Sequence, residues 1–142
     1  MDAVAGYSGT PLPQKLGLKP GARLALAGAP EGFLQTLGEL PEGVRAVSLP
    51  RAKGPFDVVV AFFDSEAAFK KQLPKLHAAL APSGGLWIAW PKRASGVTTD
   101  MTEHTVRKYG LPRGLVDNKV CAIDATWSGL RLVVRLENRP PG

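Results

Sequence analysis

The chain contains a single cysteine, Cys121, and only two histidines, His77 and His104. One thiol excludes an internal disulfide, and so few nitrogen and sulfur ligands argue against a zinc site. No apolar run approaches the roughly 20 residues that cross a bilayer as a helix. The opening Met1-Asp2-Ala3-Val4-Ala5 lacks a charged segment followed by an apolar core. No secretory leader is therefore expected, no membrane partner either, and the reading is a cytoplasmic protein. There is no Ser-His-Asp set, no metal-ligand spacing, no Walker loop and no internal repeat. Charge is not concentrated anywhere. The 18 Lys and Arg exceed the 12 Asp and Glu to give a net charge of +6, yet they are scattered, with small groups only at Arg51/Lys53, Lys70/Lys71 and Lys92/Arg93. Nucleic-acid binding usually rests on a clustered patch with interleaved aromatics, so nucleic acid is not the favoured partner.

What is there fits one domain over residues 1–142, with hydrophobic residues at 44% and charged residues at 21%. That length suffices for a real core. Sixteen glycines and 13 prolines imply many turns and short elements. Residues 1–21 are rich in chain breakers and read as a segment over the sheet edge, with one helical turn at 14–18. Strands follow at 23–27 and 44–49 around a short helix, 31–37. Phe56 to Phe63 is a nearly continuous apolar run, the pattern of a central parallel strand covered on both faces. Ser65 caps a helix in which Phe69, Leu73, Leu76 and Leu80 recur at helical spacing, and Pro74 inside it predicts a kink or a split. Ala81 to Gly85 reads as the turn into a strand from Leu86 to Trp90. Thr99 or Asp100 caps a helix that runs to Tyr109 and stops at Gly110. Two last strands, 119–123 and 130–136, form a hairpin, and 138–142 is a frayed tail. The connection over residues 50–55 is too short for a helix, so it must be extended or the strand before it short.

Leu24-Ala25-Leu26-Ala27-Gly28-Ala29-Pro30-Glu31-Gly32-Phe33 reads as a buried strand running into a tight turn that opens a helix. Rossmann-like domains cradle a nucleotide at such a turn. Together with Phe56-Asp57-Val58-Val59-Val60 and Leu80-Ala81-Pro82-Ser83-Gly84-Gly85-Leu86-Trp87-Ile88, it resembles a class I methyltransferase domain over residues 22–137. The resemblance implies an α/β, three-layer, Rossmann-like fold: a mostly parallel sheet of about six strands, the first central, closed by an antiparallel C-terminal hairpin. More narrowly, Gly6-Tyr7-Ser8-Gly9-Thr10-Pro11-Leu12, Trp90-Pro91-Lys92-Arg93-Ala94-Ser95-Gly96 and Thr126-Trp127-Ser128-Gly129-Leu130 resemble an uncharacterised bacterial family known only as a domain of unknown function. That second likeness implies no mechanism.

The departures from methyltransferases carry information. Their turn has an acidic residue in the strand and three glycines spaced Gly-x-Gly-x-Gly. Here Gly28 and Gly32 take the first and third positions, Pro30 takes the middle one, and Leu26 the acidic one. Proline has no N–H and a fixed φ, so it cannot face a cofactor as glycine does. The second strand ends Val47-Ser48-Leu49-Pro50, without the carboxylate that holds ribose hydroxyls. One strand and its flanking helices are missing before Phe56. The usual S-adenosylmethionine site is therefore not expected, and no cofactor is predicted, with S-adenosylmethionine a disfavoured alternative.

Ligands of open parallel sheets bind beyond the carboxyl ends of the strands. On that edge the topology gathers Gly28 and Gly32, the loop bearing Lys92, Arg93 and Ser95, the turn Thr126-Trp127-Ser128, and, folding over them, Tyr7, Ser8 and Thr10. These offer cations, hydroxyls and flat apolar surfaces, a composition suited to a small anionic or nucleotide-like ligand. Duller readings stand beside each. Lys92 and Arg93 also fit a solvated loop, and Trp127 a ring packed over the sheet edge. Asp64 and Glu66 fit helix capping, His77 and His104 the surface, and Cys121 a buried, inert thiol. Trp87 and Trp90 face opposite sides of one strand, with at least one in the core. Three functions remain open: a ligand-binding domain on a methyltransferase-like scaffold, a minimal S-adenosylmethionine-dependent methyltransferase, and a basic module binding nucleic acid or an acidic protein.

Overall fold

The structure, a computed structural model, describes residues 10–49 and 51–139. The elements in chain order are α1 (Leu12–Lys15), β1 (Leu24–Ala27), α2 (Phe33–Leu37), β2 (Ala46–Ser48), β3 (Phe56–Phe62), α3 (Glu66–Ala78), β4 (Leu80–Pro91), α4 (Glu103–Gly110), β5 (Leu115–Ala122) and β6 (Trp127–Val134). One six-stranded sheet has the order β2-β1-β3-β4-β6-β5. The pairs from β2 through β4 are parallel, and β6 runs antiparallel to both of its neighbours. The α/β fold with a C-terminal antiparallel hairpin is as expected. The position of the first strand is not: β1 lies second from the edge, and β3 and β4 form the middle. That middle place follows from burial, since β3 hides every side chain but Asp57 and Leu86 to Pro91 of β4 are buried throughout.

Strand alternation divides the core into two faces. On one, Val59, Ala61, Leu86, Ile88 and Trp90 meet Phe69, Leu73 and Leu76 of α3. On the other, Val58, Val60, Trp87 and Ala89 meet Phe33 and Leu37 of α2 and Leu16 and Leu18 beyond α1. Trp87 and Trp90 do face opposite sides, and both are buried. The Trp87 indole N–H donates to the Leu16 carbonyl at 3.1 Å, which fixes the chain after α1 beneath the sheet.

Several local expectations need correction. α3 is one unbroken helix through Pro74. Both Pro74 and Lys70, whose carbonyl loses its partner to the missing N–H, are exposed, so water can satisfy the freed group. Ala81 to Gly85 is not the turn before a strand but a bulge within β4. Leu80 already pairs with Phe56, and the ladder resumes at Val58↔Gly85. A Cβ on Gly84 would stand 2.7 Å from the Phe56 carbonyl oxygen, so only glycine permits that approach. The N-cap of α4 is Thr102, in a capping box with Thr105, rather than Thr99 or Asp100. Gly110 stays right-handed inside the helix and the chain turns at Gly114, φ 85°. β5 begins at Leu115, earlier than expected, because it pairs with β6 along its whole length.

The connection from β2 to β3 has no helix among its described residues, and β2 is only three residues long. Ala52 N–H donates to the Ser48 carbonyl at 3.1 Å, and the Gly54–Pro55 peptide is cis. Leu49 and Ala52 pack on the α3 face, so the link crosses β1 on that side. Among the described residues no helix is long and apolar enough to cross a membrane.

Candidate functional site

A cleft of about 430 Å³ opens where β1 meets α2 and β2 ends. Its walls include Leu26, Gly28, Pro30, Gly32, Gln35 and Ser48. Gly28 has φ 67° and Gly32 φ 84°, both left-handed, and a Cβ on Gly28 would lie 3.1 Å from the Phe62 carbonyl oxygen. Backbone conformation favours glycine at both turns, and at Gly28 a Cβ would also press on the Phe62 carbonyl. Among the described residues no lining side chain is charged. What the cleft offers is the Ser48 hydroxyl, the Gln35 amide, backbone groups and apolar surface from Leu26, Pro30 and Phe33. Of the expected residues only Gly28 and Gly32 line it.

The remaining expected residues lie elsewhere. Tyr7 and Ser8 fall outside the described residues, and Thr10 lines none of the cavities described here. Lys92 N–H donates to the Thr126 carbonyl at 2.7 Å, so the two loops are neighbours through their backbones. Their side chains diverge. Trp127 stands edge-on to Phe62 at 5.1 Å, and Phe62 to Phe33 at 4.8 Å, which puts its ring on the α2 face. Arg93 lines a separate cavity of about 560 Å³ with Trp90, Met101, Thr102 and Glu103, on the α3 face. Ser128 pairs opposite Trp90 in the adjoining strand. Ser95 Oγ donates to the Lys92 carbonyl at 2.6 Å and accepts from Val97 N–H at 3.1 Å, which closes its own turn. Thr126 and Trp127 each donate a backbone N–H to Asp124 Oδ1 at 2.8 Å. Among the described residues the expected single concave site does not form, because Arg93 and Trp127 fall on opposite faces of the sheet even though their loops touch.

The titratable groups are tied into the fold. Glu66 accepts from the Tyr109 hydroxyl at 2.6 Å and from Lys108 Nζ at 3.4 Å, and these bonds hold its carboxyl below the usual range. Glu66 N–H donates to Asp100 Oδ1 at 2.7 Å, and the Thr99 hydroxyl to the Asp64 carbonyl at 2.7 Å. The loop before α4 thus caps the start of α3, where Ser65 also accepts from Ala68 N–H as expected. His104 is exposed, as expected, but His77 is half-buried and its Nδ1 is buried without a partner among the described residues. Burial lowers its pKa, and the nearby Arg113 charge adds to the effect. Cys121 is half-buried, and burial pushes its thiol up. Among the described residues no group of three or more His, Cys, Asp or Glu could hold a metal ion.

No family model and no curated protein matches the chain, so the narrower resemblance rests on its three motifs alone. Solved structures do match. A SAM-dependent methyltransferase from Aquifex aeolicus superimposes with a TM-score of 0.64 at 16% identity, over 85% of this chain and 87% of that one. A putative type 11 methyltransferase from Sulfolobus solfataricus gives 0.63 at 12% identity, over 92% and 93%. Aeropyrum pernix fibrillarin, solved with natively bound S-adenosyl-L-methionine, gives 0.56 at 16% identity, over 90% and 70%. The fold is methyltransferase-like. Within it, the cleft at Gly28 and Gly32 lies at the turn and strand end where the sequence departs from the methyltransferase pattern. Pro30 supplies no N–H there, and the carboxyl end of β2 presents Ser48 and no carboxylate.

Cleft walls such as Pro30, Gln35 and Ser48 were missing from the expected site, although Pro30 and Ser48 stood out as departures. Their signal was position alone: each lies beside a residue that the sequence places at the strand ends.

Proposed function

We propose that this chain is a ligand-binding domain on a methyltransferase-like scaffold that takes a nucleoside-type molecule in the cleft between the β1–α2 turn and the end of β2. The observation that carries this reading is the cleft itself, kept open by two left-handed glycines and lined by no charged side chain among the described residues. An uncharged wall with a hydroxyl, an amide and apolar surface suits a base and sugar better than a polyphosphate, whose charge needs cations to offset it. The anionic part of the expected ligand finds no counter-charge here, since Arg93 lines another cavity and Lys92 lines none of those described.

A second reading, a minimal S-adenosylmethionine-dependent methyltransferase with an altered cofactor pose, is favoured by the fold of its neighbours, one of them solved with that cofactor bound. Calorimetry with adenosine, adenosine monophosphate and S-adenosylhomocysteine separates the two. Adenosine binding that S-adenosylhomocysteine does not improve supports the first. Clearly tighter S-adenosylhomocysteine binding supports the second. Preference for the monophosphate, or no binding by any of the three, overturns the first. Ser48→Trp, at an exposed position on the cleft wall, should abolish whatever binding is seen.

A further inference from the structure

A second cavity, about 660 Å³, lies across β1 from the cleft, and the two meet at Gly28 and Leu49. Its origin is the short connection between β2 and β3. Both strands pair with β1, one on each side, so the link must cross β1 on the α3 face. A helical crossover would cover that face. Residues 49–55 cannot, and a trough remains between the link and α3. Ala27, Leu49, Ala52, Phe63, Leu76 and Ala79 give it apolar walls.

The trough is held open by structure on both banks. The Arg23 guanidinium donates to the carbonyls of Pro55 at 2.8 Å and Lys53 at 3.1 Å and lies 4.9 Å over the Phe56 ring. Phe56 N–H donates to the Ala79 carbonyl at 2.9 Å, and Gly54 fits against Ala79 only because it has no Cβ. The link is thus pinned to the end of α3 instead of collapsing into the gap. Its volume falls within the range of small-molecule sites, about 300–1,000 Å³.

The charges are one-sided. Among the described residues, the only charged side chains along it are Lys53 from the link and Lys75 from α3, both exposed, the only amide is Gln72, and no carboxylate lines it. Neither ammonium pairs with a carboxylate of the described residues. Apolar walls with two cations and no anion complement a molecule built the opposite way. We infer that this trough binds an amphipathic anion, a hydrocarbon or aromatic body carrying one carboxylate or phosphate, with the body against Ala52, Phe63 and Leu76 and the head between Lys53 and Lys75. The inference is independent of what occupies the neighbouring cleft.

Calorimetry with decanoate, decyl phosphate and neutral decanol, all below micelle-forming concentration, tests it on the full chain. Decanoate or decyl phosphate should bind with a stoichiometry of one, and the tighter of the two identifies the head group. Decanol should bind distinctly more weakly. Ala52→Trp should abolish binding by filling the trough. Lys53→Glu with Lys75→Glu should weaken it by about tenfold, given two exposed charge contacts. That double variant changes only exposed side chains, so it keeps the test decisive if Ala52→Trp fails to fold. Absence of binding by both anions, equal binding of decanol, or binding that the double lysine variant leaves unchanged would overturn the inference.

Discussion

At one edge of the sheet, β2 meets β1 through only Leu24↔Ala46, Ala25↔Val47 and Leu26↔Ser48, whereas at the other, β5 and β6 pair from Leu115↔Val134 to Ala122↔Ser128. The long edge is also braced from outside. Arg107 of α4 binds Glu103 at 2.5 Å and Asp117 of β5 at 3.0 Å, and Tyr109 and Lys108 of the same helix reach Glu66 of α3. Among the described residues, the short edge has no such brace on the α3 face, only the link between β2 and β3. Both the cleft and the trough border that short edge, and they share Gly28. Removing a covering helix shortens the ladder and leaves concave apolar surface in the same stroke. A region that buries less of itself is both less stable and more available to a ligand.

The sharpest contrast in stability should come from comparing Trp87→Ala with Val47→Ala. Trp87 is fully buried on β4, and its indole bonds to Leu16, so truncation should cost about 3–5 kcal/mol. Val47 is half-buried on β2, and its truncation should cost about 1 kcal/mol or less. Urea titration of both variants measures the difference, and equal losses would break the contrast between the edges. A smaller effect is expected at the junction of the two cavities. Gly28→Ala must hold an L side chain at φ 67° and accommodate the Phe62 carbonyl, a cost of about 1–2 kcal/mol. Because Gly28 borders both cavities, the same variant should also weaken adenosine binding. Unchanged stability and affinity would show that the turn relaxes freely.

The smallest effect concerns His77, on the helix between the two regions. Burial favours its neutral form in the folded protein, so its folded pKa lies below the ordinary value of 6.5. The unfolded chain then binds the proton first as pH falls. The stability contribution is complete above pH 6.5 and declines as pH drops below it towards the folded pKa. His77→Leu should flatten that slope between pH 7.5 and 5.5 in denaturant titrations, and an unchanged slope would assign it to other groups. The Glu66 carboxyl, held low by Tyr109 and Lys108, acts in a separate and more acidic window, losing its contribution below the ordinary carboxylate value of 4.5.

The sequence by itself determined the succession of elements, the buried β3 run, the Ser65 cap, the C-terminal hairpin and the opposed tryptophans of β4. Each of these rests on neighbours in the chain: alternation along a strand, spacing along a helix, a hydroxyl two or three residues from an N–H it can accept from. It also marked the places where the methyltransferase pattern fails: Leu26 in the first strand, Pro30 in the turn after it, the end of the second strand, and the short connection before Phe56. The tertiary structure alone decided that β3 and β4 occupy the middle of the sheet, that Pro74 leaves α3 whole, that Ala81 to Gly85 bulges inside a strand, and that the Lys92 and Thr126 loops touch while Arg93 and Trp127 face apart. It alone turned a missing helix into a trough flanked by Lys53 and Lys75. Those outcomes depend on which strand pairs with which and on which face each side chain falls, and they are set by contacts between residues far apart in the chain.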